Sequence, residues 1–266
     1  MAEVPETESV QPPQADVKED TPMEIHKPHA AKTWKEFFIE LGTIVISILI
    51  ALGLEQAVEA VHDRARAAQA QANIHDEIAA DIGLMGTRDG IEGCISHRLD
   101  EVDGVIRASA AGSLPQGPIW IGNPFHAAMA DGQYLSATQS GAVSLLPNQE
   151  QAGYATIHAE FDQYQQAEQL EQEAWADLRT LEKHPANTPV LDWQLRSAME
   201  KARTARFEME TAEYYARTDA AKFGINPITT MRFTLQAVCV PLNTERTEAE
   251  KKIVQGGITG HKFDTP

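Results

Sequence analysis

The chain has 266 residues, a formal net charge of −17 and a pI near 4.9, and aromatic residues make up 6% of it. Because phosphate binding needs a basic face, this charge argues against nucleic acid as a partner, and the low aromatic content disfavours large cofactor or sugar platforms. The length suits one domain of ordinary size together with an anchor and tails.

Residues 1–32 are rich in Pro, Glu and Gln and contain few large apolar side chains. Such a composition cannot bury enough apolar surface to offset the entropy of ordering. The sequence therefore predicts a disordered tail over 1–32, on the cytoplasmic side.

Residues 33–54, TWKEFFIELGTIVISILIALGL, predict a helix that begins in water and enters a bilayer. Thr33 and Glu36 have the spacing of a capping box. The stretch 37–58 would extend about 33 Å as a helix, enough for a hydrocarbon core of about 30 Å. A small-residue cleavage site does not follow, so the prediction is an uncleaved transmembrane helix over 33–58 rather than a removed signal peptide.

Basic residues close to this span indicate its orientation. Lys27, Lys32 and Lys35 precede it, whereas Arg64 and Arg66 follow at a greater distance. This bias favours a cytoplasmic N-terminus. We therefore expect a single-pass protein of the bacterial inner membrane with its main domain in the periplasm.

One row of the membrane helix consists of small or polar residues and is bordered by two carboxylates. Small side chains at i, i+4 spacing let another helix approach closely in lipid. The row predicts a helix–helix contact in the membrane, with Glu40 and Glu55 at the headgroups or paired with a partner. Its members are Glu40, Thr43, Ser47, Ala51 and Glu55.

The helix is predicted to continue beyond the membrane as a stalk. Apolar and small residues alternate spacings of four and three, which is typical of a coiled-coil seam, although a plain amphipathic helix fits as well. The seam comprises Leu54, Val58, Val61, Ala65, Ala68, Ala72, His75, Ala79 and Ile82. Gly83 and Gly86 are predicted to loosen or end this helix.

The remainder predicts a mostly α fold, in which the N-terminal transmembrane helix continues into an antiparallel bundle of about four main helices over 59–240. Periodicity and Pro or Gly breaks define its parts. They are a helix at 84–110, a proline-rich loop at 113–124, helical stretches at 125–131 and 134–146, long helices at 149–183 and 190–223, a strand or last helix at 229–240, and a flexible C-terminal tail at 241–266.

The two cysteines are Cys94 and Cys239. In an oxidising compartment they would be able to form a disulfide, and such a long loop would in principle add several kcal/mol of stability. The sequence does not show that they are near each other. Without a CxxC or CxxCH motif, redox-pair and c-type haem interpretations lack their signature.

Motifs that carry chemistry are not evident. The sequence contains no Gly-rich phosphate loop and no GxSxG elbow, and Cys94 with His97 offers two ligands where zinc needs more. Ser140 is interpreted as a small residue at a helix contact. We predict no catalytic, cofactor-binding or metal-binding residues and expect a protein that is not an enzyme.

The run from Trp34 to Arg64, WKEFFIELGTIVISILIALGLEQAVEAVHDR, resembles the start of a group of bacterial uncharacterised membrane proteins. The resemblance is dense over 35–62, through KEF, EL, TI and LIAL followed by an LExxVE pattern, and the stretch SGAVSLLP at 140–147 is also similar. It implies a membrane-anchored protein with an extracytoplasmic helical region. It implies no activity.

Two hypotheses for function follow. The first is a periplasmic helical protein that acts through protein contacts, as an accessory or scaffold subunit of a membrane complex or as a homo-oligomer, with a membrane partner or a second copy bound along the transmembrane and stalk helix. The alternative is a periplasmic sensory or ligand-binding bundle that works with a separate signalling partner.

Overall fold

The computed structural model describes residues 33–113, 119–182, 189–228 and 237–259. The predicted tail at 1–32 and most of the segment 229–240 lie outside these ranges. Within them the chain is helical and contains no strand, which confirms the mostly α fold class. The helices are α1 (Trp34–Asp89), α2 (Glu92–Ala110), α3 (Gly132–Gln139), α4 (Asn148–Leu178), α5 (Pro189–Lys222) and α6 (Arg246–Thr259).

The chain divides into two compact units, one ending at Gln56 and one beginning at Ala57, and the second is called the bundle below. In the first unit, the amide of Glu36 donates to the Thr33 hydroxyl over 3.4 Å, in agreement with the predicted cap. Of the helices in the described ranges, α1 alone is long and apolar enough to cross a membrane, and its most apolar stretch is not buried at all.

In the bundle, α1 buries one face. Ala70, Ile74, Ile78 and Ile82 follow one another at intervals of four, and Met85 continues the face. Such spacing places apolar side chains on one side of a helix. They pack against tyrosine, phenylalanine and alanine residues of α4 and α5.

The predicted end of the first helix at Gly83 and Gly86 is wrong. Helix α1 passes through both glycines and ends at Asp89, and α2 starts at Glu92. Gly83 is instead a contact point, because Ile228 donates its amide to the Ala79 carbonyl over 2.9 Å and its own carbonyl lies against the Gly83 backbone. The glycine serves close packing rather than chain termination.

The predicted heptad seam is only partly used within the bundle. Ala79 and Ile82 are buried, whereas Val58 and Val61 are more than half exposed and the alanines at 65, 68 and 72 are also exposed. The buried face of α1 is therefore rotated away from the seam. The coiled-coil interpretation stays a prediction.

Contacts at both ends of the helices define their directions. Gln71 bonds Glu150 and Arg88 bonds Glu171, so α1 and α4 run parallel. Helix α5 runs the other way: its residue Arg217 pairs with Asp89, whereas Ile228, beyond its C-terminus, bonds the earlier residue Ala79. The bundle therefore contains antiparallel pairs with α5 and one parallel pair, α1 with α4.

Three other predicted segments differ in the structure. Residues 125–131 form no helix, and the backbone groups of Phe125, Ala127 and Ala130 bond side chains of other helices instead. The predicted helix at 134–146 divides into α3 and a short 3₁₀ turn, since Gly141 adopts φ +74°. The tail predicted as flexible at 241–266 contains α6, whose Ala249 is fully buried against Trp120 and Val240.

Gly224 caps the C-terminus of α5. Gly224 has φ +71°, a conformation that glycine adopts without steric cost. Its amide bonds the Ala221 carbonyl, and the amide of Ile225 bonds Ala220, which is the hydrogen-bond pattern of a Schellman motif. It ends α5 and directs the chain toward α1.

A matched pair of glycine substitutions tests this packing. A Cβ added at Gly83 would lie 1.9 Å from the Ile228 carbonyl oxygen, whereas one added at Gly104 in α2 meets nothing within 4 Å. We expect Gly83→Ala to destabilise the bundle by about 1–3 kcal/mol through overpacking and Gly104→Ala to stabilise it by about 1 kcal/mol through helix propensity. Thermal unfolding of the full-length protein in mild detergent measures the stability of both variants. If the two substitutions change stability equally, the close contact between Gly83 and Ile228 is contradicted.

Candidate functional site

The chain crosses the bundle once without forming a helix. Residues 119–131, called the return segment, lead from the end of α2 back to α3, which lies beside the earlier part of α1. At one end Trp120 and Ile121 lie against Arg98 of α2, and at the other Ala130 lies against Asp81 of α1. The return segment therefore runs opposite to α1 and α2, and it allows α4 to start again parallel to α1.

Two buried arginines hold its carbonyl groups. Arg98, 2% exposed, donates to the carbonyls of Trp120 and Ile121 over 2.5 and 2.6 Å and also to the Val240 carbonyl. Arg88 donates to the Phe125 carbonyl over 3.2 Å and forms an ion pair with the fully buried Glu171 over 2.6 Å. Charged donors form strong hydrogen bonds, so each arginine fixes both a helix and the segment beside it.

Four carboxylates accept hydrogen bonds from its amides and from the first turn of α3. Each comes from a long helix or its end, so the segment is bonded to side chains where a strand would bond to a neighbouring strand. The bonds are Glu182 to Ile121 (2.9 Å) and Gly122 (3.3 Å), Glu168 to Ala127 (2.6 Å), Asp81 to Ala130 (3.1 Å), and Glu77 to Gln133 (2.7 Å) and Tyr134 (3.0 Å).

Burial changes the acidity of this group of residues. It raises the pKa of Asp81 to about 7 and that of Glu168 to about 7, although a backbone amide favours each charged form. Burial lowers the pKa of His158 to about 4, and its ring stacks on Tyr134 with centroids 4.0 Å apart. Near neutral pH these two carboxyls are therefore only partly ionised, while the His158 ring is neutral.

The disulfide that the sequence left open is present in the structure, between Cys94 of α2 and Cys239. Their Cα atoms are 5.0 Å apart although the residues are 145 positions apart in the chain. Cys239 lies in a short 3₁₀ turn that precedes Val240, a partner of Arg98. The bridge therefore fixes the C-terminal part of the chain to α2.

The predicted membrane row is exposed along α1. The hydroxyl of Thr43 donates to the Ile39 carbonyl over 2.9 Å, and that of Ser47 donates to the Thr43 carbonyl over 2.8 Å. Their polar groups are thus paired within the helix, which leaves a narrow surface of small side chains. Its contact with another helix stays a prediction.

Sequence reasoning missed a second surface, on the outer side of α5. Its residues repeat every three or four positions and are Trp193, Ser197, Glu200, Thr204, Phe207, Thr211, Tyr214 and Thr218, called the α5 seam below. The exposed fractions of Trp193, Phe207 and Tyr214 are 72%, 69% and 65%. The spacing of these residues is visible in the sequence, but aromatic residues at helical spacing are equally typical of a buried helix face.

The threonines make the α5 seam less polar than its composition suggests. The hydroxyl of Thr211 donates to the Phe207 carbonyl over 2.8 Å, and that of Thr218 donates to the Tyr214 carbonyl over 2.7 Å. Back-bonding of this kind leaves the methyl groups outward. Glu200 is the one charged residue of the seam, and it pairs with Arg203 of its own helix over 2.9 Å.

A cavity of about 440 Å³ lies where the end of α4 meets the start of α5. Asp177, Trp193, Ser197 and Lys201 are among its lining residues. This volume is within the range of small-molecule pockets. In the described ranges no group of three or more His, Cys, Asp or Glu side chains is arranged to hold a metal ion.

No protein-family model matches the chain, and the searches of curated proteins and of solved structures find no match either.

The raised carboxyl pKa values lead to a pH prediction. Between about pH 4 and pH 7 the folded state keeps a proton on Asp81 that the unfolded chain has released, so this group's contribution to stability falls as pH rises through that range. Glu168 acts in the same sense, and His158 in the opposite sense below about pH 6.5. Comparing a variant with the wild type cancels the contributions that all unchanged groups make to the pH dependence of stability.

We expect Asp81→Asn, which keeps an acceptor for Ala130, to flatten the pH dependence of unfolding free energy by up to about 1.4 kcal/mol per pH unit between pH 5 and 6.5. Chemical denaturation of the full-length protein in detergent at several pH values measures it. Asp76→Asn, an exposed change on the same helix, is the control for loss of one charge. If the slope of unfolding free energy against pH is the same in Asp81→Asn as in the wild type, the raised pKa of Asp81 is refuted.

Proposed function

We propose that this is a single-pass protein of the bacterial inner membrane whose helical bundle lies in the periplasm and acts through protein–protein contacts, as an accessory or scaffold subunit or as a homo-oligomer. The observation that carries the proposal is α1, one unbroken helix that contains a fully exposed apolar stretch and then supplies core residues of the bundle. A helix of this kind joins a membrane anchor to a folded domain without a linker.

The disulfide supports the periplasmic location. Disulfides persist in oxidising compartments and are rare in the cytosol, and the Cys94–Cys239 bridge joins two buried parts of the bundle. The basic residues before the span support the same orientation, as does the resemblance of residues 35–62 to bacterial membrane proteins with extracytoplasmic helical regions.

Two features support a role in protein contacts. The membrane row offers close approach to another helix, with its hydroxyls paired internally. The exposed aromatic residues of α5 are of the kinds that dominate binding energy at interfaces.

The alternative, a ligand-binding bundle, is favoured by the cavity that Trp193 lines. An increase in the melting temperature of the full-length protein with candidate small molecules would support it.

The compartment is tested through the disulfide. If the bundle is periplasmic, the protein in cells contains no free thiol, and a maleimide reagent of large mass labels it only after denaturation and reduction. Cys94→Ser leaves one thiol and serves as the labelling control. Labelling of the wild-type protein after denaturation without reduction would contradict the periplasmic placement.

The membrane row is tested by a matched pair of double variants. Ser47→Leu with Ala51→Leu adds bulk to the row, and we expect assembly to weaken by about tenfold or more, because contacts of this kind contribute about 1–2 kcal/mol. Gly42→Leu with Gly53→Leu adds bulk to the opposite side of the same helix and should leave assembly unchanged.

The measurement is native mass of the tagged full-length protein after gentle detergent extraction, with identification of chains that co-purify. A stoichiometric second protein would support an accessory subunit, and a defined multiple of the chain mass would support a homo-oligomer. A monomer without partners, unaffected by the row variants, would contradict the proposal and favour ligand binding.

A further inference from the structure

The α5 seam has the spacing of a coiled-coil helix, yet its aromatic side chains are exposed. Steps of four and three alternate without interruption from Trp193 to Thr218. The residues on the opposite face of α5, such as Ala202 and Met209, are buried in the bundle. Large exposed aromatic residues at regular helical spacing indicate a surface that another helix covers.

Anchoring in one membrane restricts how two copies can meet through this seam. Helix α1 is one helix from Trp34 to Asp89, and α5 runs opposite to it. Two copies whose apolar stretches lie in the same membrane therefore have parallel α1 helices, and parallel α5 helices as well. A two-fold axis along the membrane normal relates such copies and gives a closed, self-complementary contact. This step rests on the single-pass anchoring in the proposed function.

We propose that the α5 seam binds the same seam of a second copy of this chain, parallel and in register. Each seam residue then faces its counterpart. Trp193, Phe207 and Tyr214 form three aromatic layers, and such ring pairs contribute beyond the burial of their area. Small residues beside each aromatic layer leave room for the rings of both copies. Apart from Glu200, the other layers are small hydroxyl residues, namely Ser197, Thr204, Thr211 and Thr218.

The one charged layer specifies the register. In a parallel pair each seam side chain packs into a hole formed by four residues of the facing helix, and for Glu200 this hole includes Lys201 of the second copy. Lys201 has no ion pair among the described residues, so it is free to meet that carboxylate. A shift by one heptad would place Glu200 against Phe207 instead. A single polar layer therefore fixes the register, at some cost in stability.

The charges beside the seam support the same arrangement. In parallel heptad helices, a residue just before one seam position lies near the residue five positions further along in the other copy. This spacing brings Arg203 to Glu208 of the second copy, and the pair occurs twice by symmetry. Glu208 has no ion pair within the described part of its own chain. Complementary charges of this kind fix orientation and register.

Two like-charge approaches are weakened by ion pairs within each chain. The same spacing brings Arg196 near Lys201, and Arg217 near Lys222, of the second copy. Lys201 also lies beside Glu200, as described above. The other three cations each have a carboxylate of their own chain: Arg196 pairs with Asp192, Arg217 with Glu213, and Lys222 with Asp219.

This contact is distinct from contacts along α1. The face of α5 opposite the seam packs in a core that α1 and α4 share. In the proposed pair, both α5 helices therefore lie between the bundle parts of the two α1 helices. The α5 seam and the membrane row are thus separate surfaces, and each is tested by its own variants.

Cysteine cross-linking of the full-length protein in native membranes tests direction and register. Ser197→Cys and Thr218→Cys, one near each end of the seam, should each give a covalent dimer with a short bismaleimide. The native cysteines are joined in the disulfide and do not react. The matched control is Leu135→Cys, at an exposed residue of α3, which should give no dimer.

The two positions together distinguish the possible pairings. A parallel pair in register brings both residues 197 and 218 to their counterparts, whereas an antiparallel pair cannot do so for both. Cross-linking at only one position, at neither, or to a different protein would overturn the proposal.

A charge exchange tests the flanking contacts, with the cross-linked fraction in the Ser197→Cys background as the readout. We expect Arg203→Glu and Glu208→Arg each to weaken pairing by about tenfold, because two attractive pairs per dimer become repulsive. Co-expression of the two variants should recover the dimer, since unlike charges then meet in the mixed pair, which also shows that both variants fold. Leu135→Glu should leave the dimer unchanged. Single variants that pair as well as the wild type, or a mixture that does not recover, would overturn the proposal.

Failure of this pairing is distinguishable from failure of the proposed function. If the membrane-row variants change assembly while neither seam cysteine cross-links, the protein acts through contacts but not through the α5 seam. If both seam cysteines cross-link while the native cysteines react without reduction, the α5 pairing stands and the periplasmic placement fails.

Discussion

The structure of the bundle depends on how the chain connects its two parallel helices, α1 and α4. Helices α1 and α4 run in the same direction, so the chain must return the length of the bundle between them. The return segment does so without forming a helix, beside helices whose own backbone groups are already paired. Its amides and carbonyls would be left unpaired and buried, at a cost of several kcal/mol each in an apolar environment. Side chains of α1, α2 and the α4 region supply the missing partners.

This explains why a bundle with such an apolar interior buries so many charged residues. Arg88, Arg98, Glu77, Asp81, Glu168 and Glu171 are all less than 10% exposed. Buried charges are tolerated when paired and hydrogen-bonded, and most of these meet backbone groups of the return segment. The cost is seen in the pKa values of Asp81 and Glu168, which burial raises to about 7, so that each carboxyl is only partly ionised near neutral pH. Conformation and pH are therefore linked at this segment.

The two candidate interaction surfaces are separate from this polar interior. The membrane row is on α1 before Gln56, and the α5 seam is on the outer side of the bundle. Both are helix faces of regular spacing on which some hydroxyl groups bond the helix backbone, namely those of Thr43, Ser47, Thr211 and Thr218. Under the proposed membrane anchoring their chemistry would differ, because a bilayer removes the hydrophobic drive between helices and favours small residues, whereas water favours burial of the aromatic rings that α5 exposes.

The sequence by itself determined the helical class, the apolar stretch of α1, the cap at Thr33 and most of the long helices, because periodicity, capping and turn chemistry are local. The tertiary structure alone decided that 125–131 form no helix, that α1 passes through Gly83, that Cys94 pairs with Cys239, and that α6 forms. Each depends on groups distant in the chain: buried carboxylates, the Ile228 backbone, or the Trp120 side chain. Exposure of Phe207 and Tyr214 was also decided there, since spacing places residues on a common face but does not say whether that face is covered.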